Sequence, residues 1–197
     1  MRQVILQFII SLDGYSCDMD NGMREIMMGI DDPEQEEYGI SSLRQAGTHI
    51  MGRVTYEAMA GFWPTSSHPS ADVMNDIPKV VFSRSLQSAN NWPETRIARG
   101  DTAEEIAKLK AEPGGDIVAH GGTQFVHSLI RLGLVDKYRL WVLPAAASQG
   151  AQLFNGLDHP LKLRLVKSTA FPSGILELVY SPADHQDLQA GQPSAKP

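Results

Sequence analysis

The segment 116–133, DIVAHGGTQFVHSLIRLG, narrows the possible folds more than any other stretch of the chain. Ile117, Val118 and Ala119 make a short apolar run that stops at Gly121-Gly122-Thr123. Beyond it Phe125, Val126, Leu129, Ile130 and Leu132 recur at helical spacing. The pattern predicts a strand, a glycine turn and a helix that opens at the turn. A helix start leaves several N–H groups unpaired and carries partial positive charge, which suits phosphate oxygens. Gly121 and Gly122 have no Cβ, so a pyrophosphate can come close to their backbone. The same pair also reads as a plain tight turn. The arrangement returns earlier in the chain, with Thr48–Met51 as the strand, Gly52-Arg53 as the turn and Val54–Ala60 as the helix.

Other segments extend the alternation. Val4–Leu12 is apolar on both faces, as a central strand covered on two sides requires. Asp13-Gly14 ends it. Residues 15–31 read as irregular and hold Met19, Met23, Met27 and Met28, either a mobile lid or a loop packed down by its thioethers. Asp32-Pro33 opens a helix with Glu34, Glu36 and Glu37 near its positive end, and Gly47 is expected to end it. A helical turn is expected around Asp72–Ile77, a buried strand at Pro78–Ser83 and a minor strand at Thr95–Ala98. Thr102 and Glu105 suggest a capping box. Lys137–Leu143 is a further strand, with Tyr138 and Trp141 reading as core or as a dimer face. Leu161–Ala170 alternates as a half-buried strand, and Pro172-Ser173-Gly174 turns it into Ile175–Tyr180. Strands alternating with helices, then a hairpin, make an α/β three-layer sandwich. Its sheet is mostly parallel, with helices on both faces and an antiparallel C-terminal edge.

Composition closes off other classes. With 197 residues the chain suits one domain, here residues 1–181, followed by a tail at 182–197 expected to be disordered. A net charge of −6 without a long basic run argues against nucleic acid as partner. The single cysteine, Cys17, excludes an intrachain disulfide and a multi-cysteine zinc site, and has no His or Lys neighbour to activate it. The apolar start is short, interrupted by Gln7 and without a cleavage site, so it reads as a strand rather than a secretory signal. No run approaches the roughly 20 apolar residues that cross a bilayer. A cytoplasmic protein is expected. The six histidines give no metal pattern, and His120 and His127 read as structural.

Three segments in order resemble the dihydrofolate-reductase-like family, which includes the reductase domain of bacterial riboflavin biosynthesis. They are Ile50-Met51-Gly52-Arg53-Val54-Thr55-Tyr56-Glu57, Pro78-Lys79-Val80-Val81-Phe82-Ser83-Arg84, and the glycine-pair segment above. Ser11-Leu12-Asp13-Gly14 resembles the first strand of the riboflavin-type branch, and the likeness covers roughly residues 2–181. The resemblance implies NADPH as cofactor. Gly52, Arg53 and Thr55 would lie at its phosphates, Ser83 and Arg84 at the 2′-phosphate, and Gly121, Gly122 and Thr123 under the pyrophosphate. It also implies a homodimer. The two arginines add planar, permanently charged forks that would favour NADPH over NADH.

The nicotinamide would transfer hydride to a flat heterocycle, and reduction also needs a proton. Asp13 is the first candidate for catalysis, and it reads equally as a turn aspartate. Asp31 and Asp32 are ambiguous between cap and pocket acid. Members that reduce folate carry an acid inside the first long helix; here that face offers Tyr38, Ile40 and Leu43. Riboflavin-pathway members carry a lysine after Asp-Gly, where this chain has Tyr15, and an Asp-Asp-Pro segment where it has Phe62-Trp63-Pro64. Tyr15, Phe62 and Trp63 therefore suggest an aromatic-walled pocket for an uncharged planar substrate. The resemblance itself implies a heterocycle of pterin or aminopyrimidine type, with 5-amino-6-(5-phosphoribosylamino)uracil reduction as the activity that family analogy supplies. A non-catalytic binding module on the same fold is the alternative.

Overall fold

The computed structural model describes residues 1–16 and 22–183. Cys17, Met19 and most of the expected tail lie outside the described residues. Eight strands form one sheet: β1 Val4–Ile10, β2 Ala46–Gly52, β3 Lys79–Phe82, β4 Thr95–Ala98, β5 Asp116–Ala119, β6 Lys137–Val142, β7 Leu163–Ala170 and β8 Leu176–Pro182. Their order is β4-β3-β2-β5-β1-β6-β8-β7. All neighbours pair in parallel up to β6; β8 runs antiparallel to both β6 and β7. The helices are α1 Met23–Met28, α2 Pro33–Leu43, α3 Arg53–Ala60, α4 Ala71–Asp76, α5 Thr102–Ala111 and α6 Thr123–Arg131.

The period-two alternation of side chains divides them between two cores. Val4, Leu6 and Ile10 of β1, with Ile50, Val80, Ile117 and Leu140, face α5 and α6 through Ile106, Leu109, Val126, Leu129 and Ile130. On the other face Met51 and Val81 pack beneath Leu43, Tyr56, Val73 and Met74 of α2, α3 and α4. Trp141 packs there with Met23 of α1, Phe171 and Ile175. Both Tyr138 and Trp141 are buried, so within this chain they belong to the core.

Four local expectations need correction. Residues 15–31 contain α1, and Met23 is buried, so this methionine packs the segment down as the loop reading required. Gly47 does not end α2, which stops at Leu43; it lies in β2, where a Cβ would sit 2.6 Å from Gly115 N. The glycine serves a close backbone crossing beside the register shift between Ala46 and Thr48. The cap of α5 is Asp101, whose carboxylate accepts from Ala103 N and Glu104 N. The C-terminal edge strand β7 begins at Leu163 and is mostly exposed.

The α2 face of the far sheet carries a polar knot. Tyr38 donates its hydroxyl to Glu177 Oε2 at 2.6 Å and accepts from Lys167 Nζ at 2.6 Å, while Arg139 Nε lies 3.3 Å from Glu177 Oε1. Glu177 is fully buried. Tyr38→Phe leaves a buried carboxylate oxygen one donor short and is expected to cost about 1–3 kcal/mol. The shift of the urea midpoint at constant slope measures it.

Candidate active site

Because β2 and β5 are neighbours, the two strand–glycine–helix units stand side by side. A Cβ on Gly122 would lie 3.3 Å from both Gly52 Cα and Gly52 N; one on Gly121 would lie 3.3 Å from Thr55 Oγ1. Both glycines of the pair have positive φ, 74° and 85°. The backbones can approach this closely only without side chains. Among the described residues no protein oxygen accepts from the N–H of Gly121 or Gly122.

A groove of about 810 Å³ runs over these helix starts. Of the residues expected to hold a cofactor, Gly52, Arg53, Thr55, Ser83, Arg84, Gly122 and Thr123 line it, and Gly121 adjoins it beside Thr55. Phe82 and Phe125 stack in its wall at 4.7 Å. Gly100 and Thr102 extend the lining. The two arginines differ. Arg53 Nη1 donates to both carboxylate oxygens of Glu57 at 2.9 Å, an exposed pair one helical turn apart. No carboxylate among the described residues pairs with Arg84, and Arg99 fixes the turn below it by donating to the carbonyls of Arg84 and Leu86. Ser83 Oγ accepts from Leu86 N at 3.0 Å.

The sheet parts beside this groove. The β1–β5 ladder ends at Leu6 and Ala119, while β1 runs on to Ile10 along β6. Phe8 turns toward the glycine pair, 3.8 Å from where a Gly121 Cβ would be. Its neighbour Gln7 lines a second cavity, about 460 Å³, on the opposite face beneath α1 and α2. Residues 7 and 8 of one strand thus stand between the two cavities. Trp63 lines the second cavity with Trp141. Phe62 packs edge-on against Trp63 at 4.9 Å and is exposed. Tyr15 is away from the lining and bridges to Gln152.

Asp13 is held in a dense set of donors. Its carboxylate accepts from Ser11 Oγ at 2.6 Å and from the amides of Ala147 and Ser148 at 3.0 and 2.9 Å. The Ser11 hydroxyl, then these amides, lower its pKa to about 2. An acid so held stays ionised at neutral pH and ties down the loop after β6. Asp32, the cap of α2, also accepts from Ser173 N, and these bonds lower its pKa too.

One pair escaped the sequence reading. His120, just before the glycines, and His49 of β2 meet through Nε2 and Nδ1 at 2.7 Å. Burial lowers the pKa of His120 to about 4; burial, then the proximity of His120 and Lys79, puts His49 well below its ordinary value. Both imidazoles are neutral at pH 7, and one donates to the other. His127 contacts Gln152 O at 3.0 Å, as a structural histidine would. Among the described residues no group of His, Cys, Asp and Glu is arranged to hold a metal, and no helix is long and apolar enough to cross a membrane.

Known proteins agree with this architecture. The model of the RibD C-terminal domain matches residues 2–176. YyaP of Bacillus subtilis (strain 168), an uncharacterized protein, is 30% identical over 185 residues, covering 91% of this chain and 94% of YyaP. Dihydrofolate reductase from Enterococcus faecalis, solved in complex with NADP(H), superposes with a TM-score of 0.63 at 14% identity, covering 92% of this chain and 97% of the reductase. A Thermotoga maritima diaminohydroxyphosphoribosylaminopyrimidine deaminase/5-amino-6-(5-phosphoribosylamino)uracil reductase gives 0.64 at 15%, covering 92% of this chain and 57% of that one. The sheet order, the paired glycine turns and the family match together make this chain a member of the RibD C-terminal domain family, built on the dihydrofolate-reductase-like fold.

Proposed function

We propose that the protein is an NADPH-dependent reductase that reduces a C=N or C=O group of a small planar heterocycle. The observation that carries this reading is the contact of the Gly52 and Gly121-Gly122 turns, which puts two helix starts on one groove. A cradle that a single Cβ would fill suits a diphosphate. In this reading the turn amides and Thr55 hold the pyrophosphate, and Ser83 and Arg84 hold the 2′-phosphate. NADPH, when bound, would supply the hydride. The cavity beneath α1 and α2 takes the substrate and excludes water from it, with Gln7 and Trp141 on its floor. Asp13, held ionised, ties down the loop after β6 rather than giving a proton, which leaves an ordered water or a pocket acid for that step. Homodimerisation and a cytoplasmic location belong to the same reading.

Arg84→Ala should weaken NADPH about tenfold or more and leave NADH nearly unchanged, since a charge-assisted contact to phosphate contributes roughly 1.5–3 kcal/mol. Arg53→Ala should cost less, because Glu57 already engages that guanidinium. Fluorescence titration of both nucleotides against both variants checks this. Equal, weak binding of NADPH and NADH by the wild type would overturn the assignment. It would also favour the binding-module alternative.

A further inference from the structure

The second cavity has a charge that bears on what can enter it. Asp31, Asp32 and Glu36 line it, together with the indoles of Trp63 and Trp141. Its described lining contains no Lys or Arg. The one basic group on the lining, His68, lies with Nε2 3.4 Å from Glu36 Oε1. The guanidinium behind the floor, Arg139, donates to Gln7 Oε1 at 3.4 Å and is paired with the buried Glu177. Asp32 is ionised, its pKa lowered by its hydrogen bonds to Ser173 and Gln35.

We propose that this cavity selects an unphosphorylated planar ring bearing exocyclic amines, neutral or cationic, and rejects the phosphoribosylated form of such a ring. The proposal rests on the reductase reading only in taking this cavity as the substrate side. Carboxylates accept from ring amines and repel a phosphate dianion at the same positions. Indole faces stack on a flat heterocycle and attract a cation. About 460 Å³ lies in the range of small-molecule pockets, roughly 300–1,000 Å³. The cavity with its aromatic walls makes the site, and the carboxylates set its sign. The chain therefore parts from the Thermotoga maritima deaminase/reductase, whose name gives an activity on a phosphoribosylamino compound.

The test follows 2,4-diaminopyrimidine binding by quenching of the indoles, with cytidine and cytidine 5′-monophosphate as competitors. Competition confines the readout to this cavity even where the nucleotide also enters the cofactor groove. Diaminopyrimidine should bind, and cytidine should displace it at least about tenfold better than its 5′-phosphate does. Asp31→Asn/Glu36→Gln leaves the α2 cap at Asp32 intact. It should weaken diaminopyrimidine about tenfold and narrow the gap between the two competitors. High salt should narrow that gap in the wild type, a measurement that needs no variant. Displacement by the nucleotide equal to that by the nucleoside overturns the proposal, as does absence of diaminopyrimidine binding or an unchanged double variant. NADPH is titrated separately on the same preparation. Binding of NADPH with the wrong competitor order sinks this proposal alone, and the right order without NADPH binding sinks the reductase reading alone.

Discussion

Gly122→Ala is expected to lower NADPH affinity by about thirtyfold or more, roughly 2 kcal/mol, while the chain still folds. Two effects act at this position. The backbone has φ of 85°, which an L side chain adopts at a cost of about 1–2 kcal/mol. The added methyl would also stand 3.3 Å from Gly52 Cα and from Gly52 N, tighter than ordinary van der Waals contact and against backbone that cannot rotate away. The two turns must separate by a few tenths of an ångström, and the cradle proposed for the diphosphate opens with them. Gly133→Ala is the matched control. Its φ of 63° is also positive, but nothing lies within 4 Å of the new Cβ. Both variants should melt a few degrees lower, and Gly122→Ala alone should lose the nucleotide. Wild-type affinity in Gly122→Ala would show that the turns do not hold the diphosphate together.

The elements that could be read from sequence were those whose signal is local. The apolar run Ile117–Ala119 and the spacing of Val126, Leu129 and Ile130 suffice for β5 and α6, because burial on a strand or a helix face imposes that period. Asp32-Pro33 marks the start of α2 because cap and first-turn chemistry are local as well. The short α1 offered no such mark: it has six residues, and its cap, Gly22, has no side chain to accept from an amide. Gly47 misled because a glycine that ends a helix and one that lets two backbones cross are the same letter. The neighbour that decides, Gly115, is 68 positions away.

The site divides in the same way. The residues that line the groove were legible because Gly52, Arg53, Thr55, Gly122 and Thr123 belong to strand-to-helix turns and Ser83 and Arg84 follow the end of β3, and the resemblance put these segments in order. The second cavity was less so. Trp63 reached the cavity, but Phe62 packs against Trp63 instead and Tyr15 pairs with a distant loop. Nothing in a linear pattern assigns one of two adjacent aromatics to the pocket. Gln7 and Trp141 come from strands whose adjacency is a matter of sheet order, and Asp13 gave no sign of the amides of Ala147 and Ser148 that hold it.

The histidine pair, 71 residues apart in sequence, leads to the remaining expectation: stability should fall steeply as the pH drops from about 6.5 toward 4. The unfolded chain binds a proton on each imidazole near pH 6.5, whereas folded His120 does so only near 4 and burial holds folded His49 well below its ordinary value as well. Across that window the unfolded state holds more protons, so stability decreases as pH decreases, by up to about 1.4 kcal/mol per pH unit for each histidine. Between pH 7 and pH 5 His120 contributes a loss of at most about 2 kcal/mol, less for the part of its surface that stays exposed; His49 adds to it in the same direction. The carboxylates act in a separate range. Asp13, with a pKa near 2, withdraws its stabilisation only below about pH 4. Charge on the pair would also force β2 and β5 apart just behind the two glycine turns, so nucleotide affinity should decline with stability. Urea unfolding of the wild type and of His120→Gln at pH 7, 6 and 5 measures the first effect, and nucleotide titration at the same pH values the second. His120→Gln should give a distinctly shallower fall in stability than the wild type, since it removes one of the two proton sinks of the unfolded chain and the repulsion on the other. Parallel curves would mean that the imidazoles exchange their protons at ordinary pH and that the pair is not the source of acid sensitivity.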